Sequence, residues 1–349
     1  VKLIDDFSKF LEDKVNLNNT RIAKLETHVE NIQTFLSGSD WDAPIIRYSN
    51  QGSWAHKTII KPPGNGGFDA DVLVFVKPVT DWSPDDYIHH LRRVFRASGI
   101  YKDKTSLNTR CVTITYAGDF EIDIVPCVTD RPGGTYRFEI CNRVEESFEP
   151  TDSEAYTAWL EDRNGWVGND RLREVTRLLK YLRDIKQTFT CKSILLMTLI
   201  GNLITPADAV YHNAYLPDLP TALKTLIDRL DDYLQDHPEL HDVNNPVLQR
   251  ESFTRHWDAD KYANFRDVIH RYREWIDDAY DELDEAESRA KWQRIFGDEF
   301  GKGAKRALMI EHASALPVPA ANANVKDTVQ AVQVFGRAFS RVFSRQCLG

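Results

Sequence analysis

The chain has no apolar run approaching the roughly 20 residues that a membrane-spanning helix requires, so a helical membrane span is not expected. Its first residues, Val1-Lys2-Leu3-Ile4-Asp5-Asp6, lack the basic and long apolar regions of a signal peptide. The expectation is a cytoplasmic protein. Cysteine is scarce: Cys111, Cys127, Cys141, Cys191 and Cys347 are spread over 349 residues, with no CxxC pair and no zinc spacing. That argues against a disulfide framework or a zinc module and for reduced, packing thiols. Positive charge is also in deficit, since 44 Lys and Arg against 53 Asp and Glu leave a net charge of −9. A protein that coats long nucleic acid, or holds a long template stably, depends on phosphate neutralisation and is not expected at this balance. A local basic cleft for a small anion remains compatible with it. There is no internal repeat and no low-complexity tract.

What is present is the composition of an ordinary globular protein, 42% hydrophobic and 28% charged. Apolar residues from Leu3 to Leu36 recur at helical spacing, which predicts a long helix over 3–36, with Asn18-Asn19 as a point of interruption. Residues 45–145 differ in texture. Strands are expected at 45–48, 72–76, 112–116, 120–128 and 136–141, with a helix over 84–97. From about 153 onward helices are expected at 153–162, 168–187, 190–204, 220–235, 259–290 and 325–344, with a loop around 317–321. The expected architecture is α+β: a mixed-sheet lobe, a helical lobe, and an N-terminal helix bracing both.

Three short segments carry chemistry. In Phe68-Asp69-Ala70-Asp71-Val72, residues two apart on a strand share a face, so Asp69 and Asp71 point the same way. Two carboxylates that close repel unless a cation separates them, and Mg²⁺ favours carboxylate oxygens together with substrate phosphates. A pair of solvated aspartates at a strand start is the plain alternative. In Phe120-Glu121-Ile122-Asp123-Ile124, Asp123 lies within an apolar strand and needs a cation or a hydrogen-bond partner; a salt-bridged or surface-facing residue is the alternative. In Gln51-Gly52-Ser53-Trp54, a Gly-Ser step between a strand and a helix can present backbone N–H groups and a hydroxyl to a phosphate, or simply cap the helix. Further on, Arg173, Arg177 and Lys180 fall at i, i+4 and i+7 and form a basic stripe, either solvated or facing an anion. The eight tryptophans read as core, Tyr48 as one possible cleft aromatic, and the acidic run from Asp277 to Glu287 as a solvated face.

The order Gly-Ser, Asp-x-Asp, then a lone strand Asp resembles the nucleotidyltransferase superfamily related to DNA polymerase beta. Within it, the chain is most similar to the bacterial cGAS/DncV-like nucleotidyltransferases (CD-NTases). Segments 177–182 and 191–196, Asn245-Pro246, Trp257 and the run 291–300 support that branch. The resemblance implies a bilobal polymerase-beta-like fold, with a catalytic lobe over 1–160 and a helical lobe over 161–349 completing the nucleotide cleft. It implies that Gly52 and Ser53 grip a donor triphosphate, and that Asp69, Asp71 and Asp123 hold two Mg²⁺ ions, or Mn²⁺ in their place, and carry catalysis. Lys180 matches a family lysine on the triphosphate; Lys192 and Ser193 are further candidates, with Thr190 as an alternative to Ser193.

By the same resemblance the chain would join ATP, and other nucleoside triphosphates, into a cyclic di- or trinucleotide second messenger, adenine-containing, in anti-phage (CBASS) signalling. The product would activate a downstream effector. A HORMA-type sensor and an enzyme that conjugates the C-terminus, which here ends at Gly349, are the implied protein partners. Two alternatives stand beside this reading: a nucleotidyltransferase with a linear oligonucleotide, RNA or protein acceptor, and a non-catalytic nucleotide-binding module.

Overall fold

The computed structural model describes residues 1–64 and 66–302. The expected helix at 325–344, the loop at 317–321, Cys347 and Gly349 lie outside the described residues.

The N-terminal segment is two helices rather than one. Helix α1 (Ile4–Phe10) runs into a π turn at Leu11–Val15; the chain then extends through Asn16–Asn18, and α2 (Asn19–Ser37) begins. Asn18 ends the break, its side chain accepting from the Arg21 N–H at 2.8 Å, as an N-cap does. The two halves serve different cores. Phe7, Phe10, Leu11 and Val15 enter a helical core, whereas Leu25, Val29, Ile32 and Leu36 enter the core beneath the sheet.

The sheet is built from β1 (Ile45–Gln51), β2 (Phe68–Val76), β3 (Thr105–Leu107), β4 (Val112–Tyr116), β5 (Phe120–Thr129), β6 (Phe138–Asn142) and β7 (Ser147–Pro150). Short helix α3 (Gly52–Ala55) follows β1, and α4 (Pro84–Ala97) follows β2. The main strand order is β1-β2-β5-β4-β3, with β6 and β7 continuing from the far end of β5. Only β2 and β5 run parallel; the other pairs are antiparallel. On one face Phe68, Ala70, Val72 and Val74 pack with Ile122, Ile124 and residues of α2 and α4. A capping box at Ser83 and Asp86 starts α4, which buries Tyr87, Ile88, Leu91 and Phe95 on its sheet-facing side. The opposite face carries only a small cluster around Leu73, Phe75, Val125 and Cys127. Strands β3 and β7 escape detection in the sequence because three or four residues are too few for a visible alternation.

The helical core comprises α5 (Ser153–Val167), α6 (Arg171–Lys186), α7 (Ser193–Asn202), α8 (Pro206–Tyr215), α9 (Leu219–Asp236), α10 (Ala259–Asp281) and α11 (Glu285–Phe296). The periodic stretch 259–290 divides at Glu282–Asp284, where Asp284 caps α11 by accepting from the Glu287 N–H at 2.9 Å. Thr190 to Lys192 precede α7 rather than form its first turn. The acidic run is paired in part, Asp277 with Lys224 and Arg273, and Asp278 and Glu282 with Lys291. All eight tryptophans lie in or against the two large cores. No single helix among the described residues is long and apolar enough to cross a membrane. The apolar pair α7 and α8 is bent by 89°, and α7 is largely buried in the helical core. The division into lobes at 160 and 161 stays a proposal; that position falls within α5, whose Tyr156, Leu160 and Val167 belong to the helical core.

The Phe7 ring meets Trp292 at 4.8 Å and Phe300 at 4.9 Å, edge to face, and is fully buried. Replacing it by alanine removes the contact that anchors α1 to α11. We expect Phe7→Ala to cost about 3–5 kcal/mol, read as a lower denaturant midpoint; an unchanged midpoint would contradict the anchoring role.

Candidate active site

The carboxylates are brought together by strand register. In the parallel pair of β2 and β5, Asp71 lies directly beside Asp123, and Asp69 beside Glu121. Their neighbours Ala70, Val72, Ile122 and Ile124 are buried on the other face, so Asp69, Asp71 and Asp123 share the lightly covered one. On the other side of β2, Gln51 of β1 pairs with Asp71, and the chain turns at once into α3. Gly52 sits at φ +64°, where side chains are disfavoured, and a Cβ there would collide with the Asp71 carboxylate Oδ2. The Gly-Ser step is therefore pressed against the acidic pair.

Burial and the neighbouring carboxylates Asp123 and Asp69 push the Asp71 carboxyl up to about 7. Asp69 is raised by its own burial and by Asp123 and Glu121. Asp123 is held differently: its Oδ1 accepts from the hydroxyl of Thr113, the residue facing it across β4 and β5.

A cavity of about 600 Å³ lies over this face. Gly52, Ser53, Asp69, Asp71, Asp123, Lys180, Lys192 and Ser193 all line it, so the structure brings these residues to one space, whereas Thr190, the alternative to Ser193, lines a different cavity. Arg183 and Asp184 line it too; Asp184 continues the stripe 173, 177, 180 one helical turn further, a periodicity that could have found it. Lys192, exposed at the start of α7, is in position to reach into the cavity. The Ser193 hydroxyl accepts from Arg183 Nη1 at 3.2 Å. Tyr48 is elsewhere, bonded to Ser37 and to the Gln33 carbonyl against α2.

The basic stripe is not a solvated face; each of its cations is bonded to backbone, and Lys180 also borders the cavity. Arg173 Nε donates to the His56 carbonyl at 3.1 Å, Arg177 Nη1 to the Lys57 carbonyl at 3.1 Å, and Lys180 Nζ to the Thr58 carbonyl at 2.6 Å. Three cations of α6 thus tie down three successive carbonyls directly after α3. Burial lowers the Lys180 ammonium to about 8. His56 is buried among these cations and is lowered to about 4, chiefly by burial, which keeps it neutral.

Among the described residues no three His, Cys, Asp or Glu side chains converge tightly enough to form a ready metal cage. The acidic face instead offers carboxylates that point one way, with their mutual repulsion uncompensated. Mg²⁺ keeps several waters and takes one or two carboxylates plus substrate phosphates. The open donor set fits an ion of that kind arriving with a nucleotide.

A mixed sheet presenting an Asp-x-Asp pair and a third strand aspartate beside a Gly-Ser step has the arrangement of the polymerase-beta-like nucleotidyltransferase fold. Residues 1–164 match the family model of the Second Messenger Oligonucleotide or Dinucleotide Synthetase domain. That match spans a little under half of the chain, and over most of its length the fold is similar to that of solved CD-NTases. The chain is 26% identical over 310 residues to a c-di-GMP synthase of Roseivirga ehrenbergii, covering 79% of each chain. Its fold is similar to that of CdnC from E. coli MS115-1, solved with ATP, at TM-score 0.68 and 20% identity over 85% of this chain and 98% of that one. CdnC has also been solved in a complex with HORMA-deltaN. CdnG from Bradyrhizobium diazoefficiens, solved with GTP, matches at TM-score 0.69 and 18% identity over 88% and 98%.

The raised Asp71 carboxyl has a consequence for stability. Between its ordinary value of 3.8 and about 7, the folded chain binds more protons than the unfolded one, so stability of the metal-free protein falls as pH rises through that window. Asp71→Asn should therefore melt higher than wild type at about pH 8, with the gap closing as pH falls towards about 4. A gap independent of pH would refute this origin of the shift.

Proposed function

We propose that the chain is a template-independent synthase that joins nucleoside triphosphates into a cyclic di- or trinucleotide. The observation that carries this reading is the acidic face of β2 and β5 opening into a cavity walled by Lys180, Arg183 and Lys192. Negative charge on the floor suits divalent ions, and positive charge on the wall suits a triphosphate. A second cavity of about 520 Å³ adjoins the first at Gly52, His56, Lys192 and Ile194. Each is within the usual size of a small-molecule site, and together they give room for a donor and an acceptor nucleotide.

In this scheme Gly52 and Ser53 hold the donor triphosphate by backbone N–H groups and the Ser53 hydroxyl. Lys180, Lys192 and Ser193 contact its phosphates, and Lys180 has donors to spare beyond its bond to Thr58. Asp69, Asp71 and Asp123 would hold two Mg²⁺ ions, with Mn²⁺ able to substitute, Asp69 and Asp71 serving both and Asp123 the catalytic one. When bound, such ions activate a ribose hydroxyl and neutralise the leaving pyrophosphate. In this scheme Asp123 would also help take the hydroxyl proton, a task the metal could perform without it. The oxygen–phosphorus bond to the donor α-phosphate forms as the bond to its β-phosphate breaks, and a second such step closes the ring. The protein acts in the cytoplasm in anti-phage signalling, and its product reaches a downstream effector. The HORMA complex of CdnC supports a HORMA-type sensor as partner; a C-terminal conjugating enzyme is the other.

An adenine-containing product is our expectation, and CdnC was solved with ATP. A guanine product is favoured by the c-di-GMP synthase relative and by CdnG with GTP. Incubation with the four ribonucleotides and Mg²⁺, phosphatase treatment and mass spectrometry distinguish them. We expect a phosphatase-resistant product and pyrophosphate from wild type, and neither from Asp69→Asn with Asp71→Asn. Equal pyrophosphate release from both would remove the catalytic assignment, while a phosphatase-sensitive product would favour the linear or acceptor-dependent alternative. Gly52→Ala should lower turnover at least tenfold, because the methyl group displaces Asp71; wild-type turnover would show that the close approach is dispensable.

A further inference from the structure

We propose that Thr113, oriented by Asn108, is a positioning residue that commits one oxygen of Asp123 and leaves the other for a divalent ion. The proposal rests on the nucleotidyltransferase reading above and assigns a role to two residues outside the aspartate set. Thr113 stands opposite Asp123 in the antiparallel pair of β4 and β5 and is 2% exposed. Its hydroxyl has one proton to give. Asn108 Nδ2, an obligate donor, bonds to Thr113 Oγ1 at 2.7 Å. With a lone pair so occupied, the hydroxyl proton is directed at the carboxylate, and the bond to Asp123 Oδ1 follows.

Asn108 is itself fixed. Its backbone N–H donates to the Cys111 carbonyl at 3.0 Å, closing the turn between β3 and β4. The Cys111 thiol lies 3.7 Å from the Thr113 hydroxyl and, being buried, packs that side of it. The chain Asn108–Thr113–Asp123 thus runs from a backbone turn through two buried strands to the site. Among the described residues Asp69 and Asp71 have no such partner, and burial and neighbouring negative charge act on them. The three carboxylates are therefore unequal, one preset and two adaptable. A ligand whose rotamer is already set is not ordered at the moment an ion binds. Outer partners that orient metal ligands are commonly worth 10–100-fold in affinity or activity.

The test is Mn²⁺ binding by the full chain in the presence of a non-hydrolysable ATP analogue, followed by electron paramagnetic resonance. Thr113→Val keeps the volume and removes the hydroxyl. It should weaken Mn²⁺ binding about tenfold or more, while metal-free binding of the ATP analogue and the melting temperature stay near wild type. Thr113→Ser restores the hydroxyl and should restore the affinity. Wild-type Mn²⁺ affinity in Thr113→Val, or a loss in Thr113→Ser equal to that in Thr113→Val, overturns the proposal and leaves the enzymatic reading intact. No Mn²⁺ binding by wild type overturns both. If Thr113→Val does not fold, Asn108→Ala decides: weakened Mn²⁺ binding in the folded variant supports the relay, and wild-type binding overturns it.

Discussion

The side-by-side placement of Asp71 and Asp123 in parallel β2 and β5 is the constraint on which the site depends. It sets two carboxylates on one face, with no cation of the described residues between them, and Asp69 joins them two residues along. The strand interiors accept this because the alternate residues, Ala70, Val72, Ile122 and Ile124, are buried against α2 and α4. Burial on one face thus supplies the free energy that holds repelling charges on the other. A shift of either strand by one residue would turn its carboxylates into that core.

The neighbours respond to this acidic face in different ways. Gly52 approaches Asp71 because it has no side chain to collide with it. Thr113 meets Asp123 with a hydroxyl. Three cations of α6 turn to backbone instead: Arg173, Arg177 and Lys180 bond to the carbonyls of residues 56 to 58. Positive charge therefore lies close to the acidic face without neutralising it. The same three bonds fasten α6 of the helical core to the segment leaving the Gly-Ser step, so the basic wall of the cavity and its Gly52-Ser53 rim are tied to one another.

Much of this was legible in the residues. Alternation and turn signals located β2, β4 and β5, and the pairing of Asp69 with Asp71 on one face followed from a period of two. The N-terminal stretch shows how far periodicity reaches. Leu3 to Leu36 reads as one amphipathic helix, yet Asn16–Asn18 lets its halves turn towards different cores. The stretch 259–290 divides at Glu282–Asp284 for the same reason, a local cap overriding a continuing pattern. The basic stripe of α6 was visible as a spacing, but its partners were not, because backbone carbonyls leave no mark in a sequence.

The sequence by itself determined which residues carry charge and which strand face each occupies, since side-chain direction follows from local backbone geometry. It also carried, in the order of its motifs, the resemblance to the nucleotidyltransferase superfamily. Only the tertiary structure decided that β2 and β5 lie side by side in the register that joins Asp71 to Asp123. It alone turned the cations of α6 onto a backbone segment more than a hundred residues earlier, and brought Asn108 and Thr113 to the third aspartate. These are contacts between segments distant along the chain, chosen by how two cores bury their apolar surface, and no local pattern encodes them.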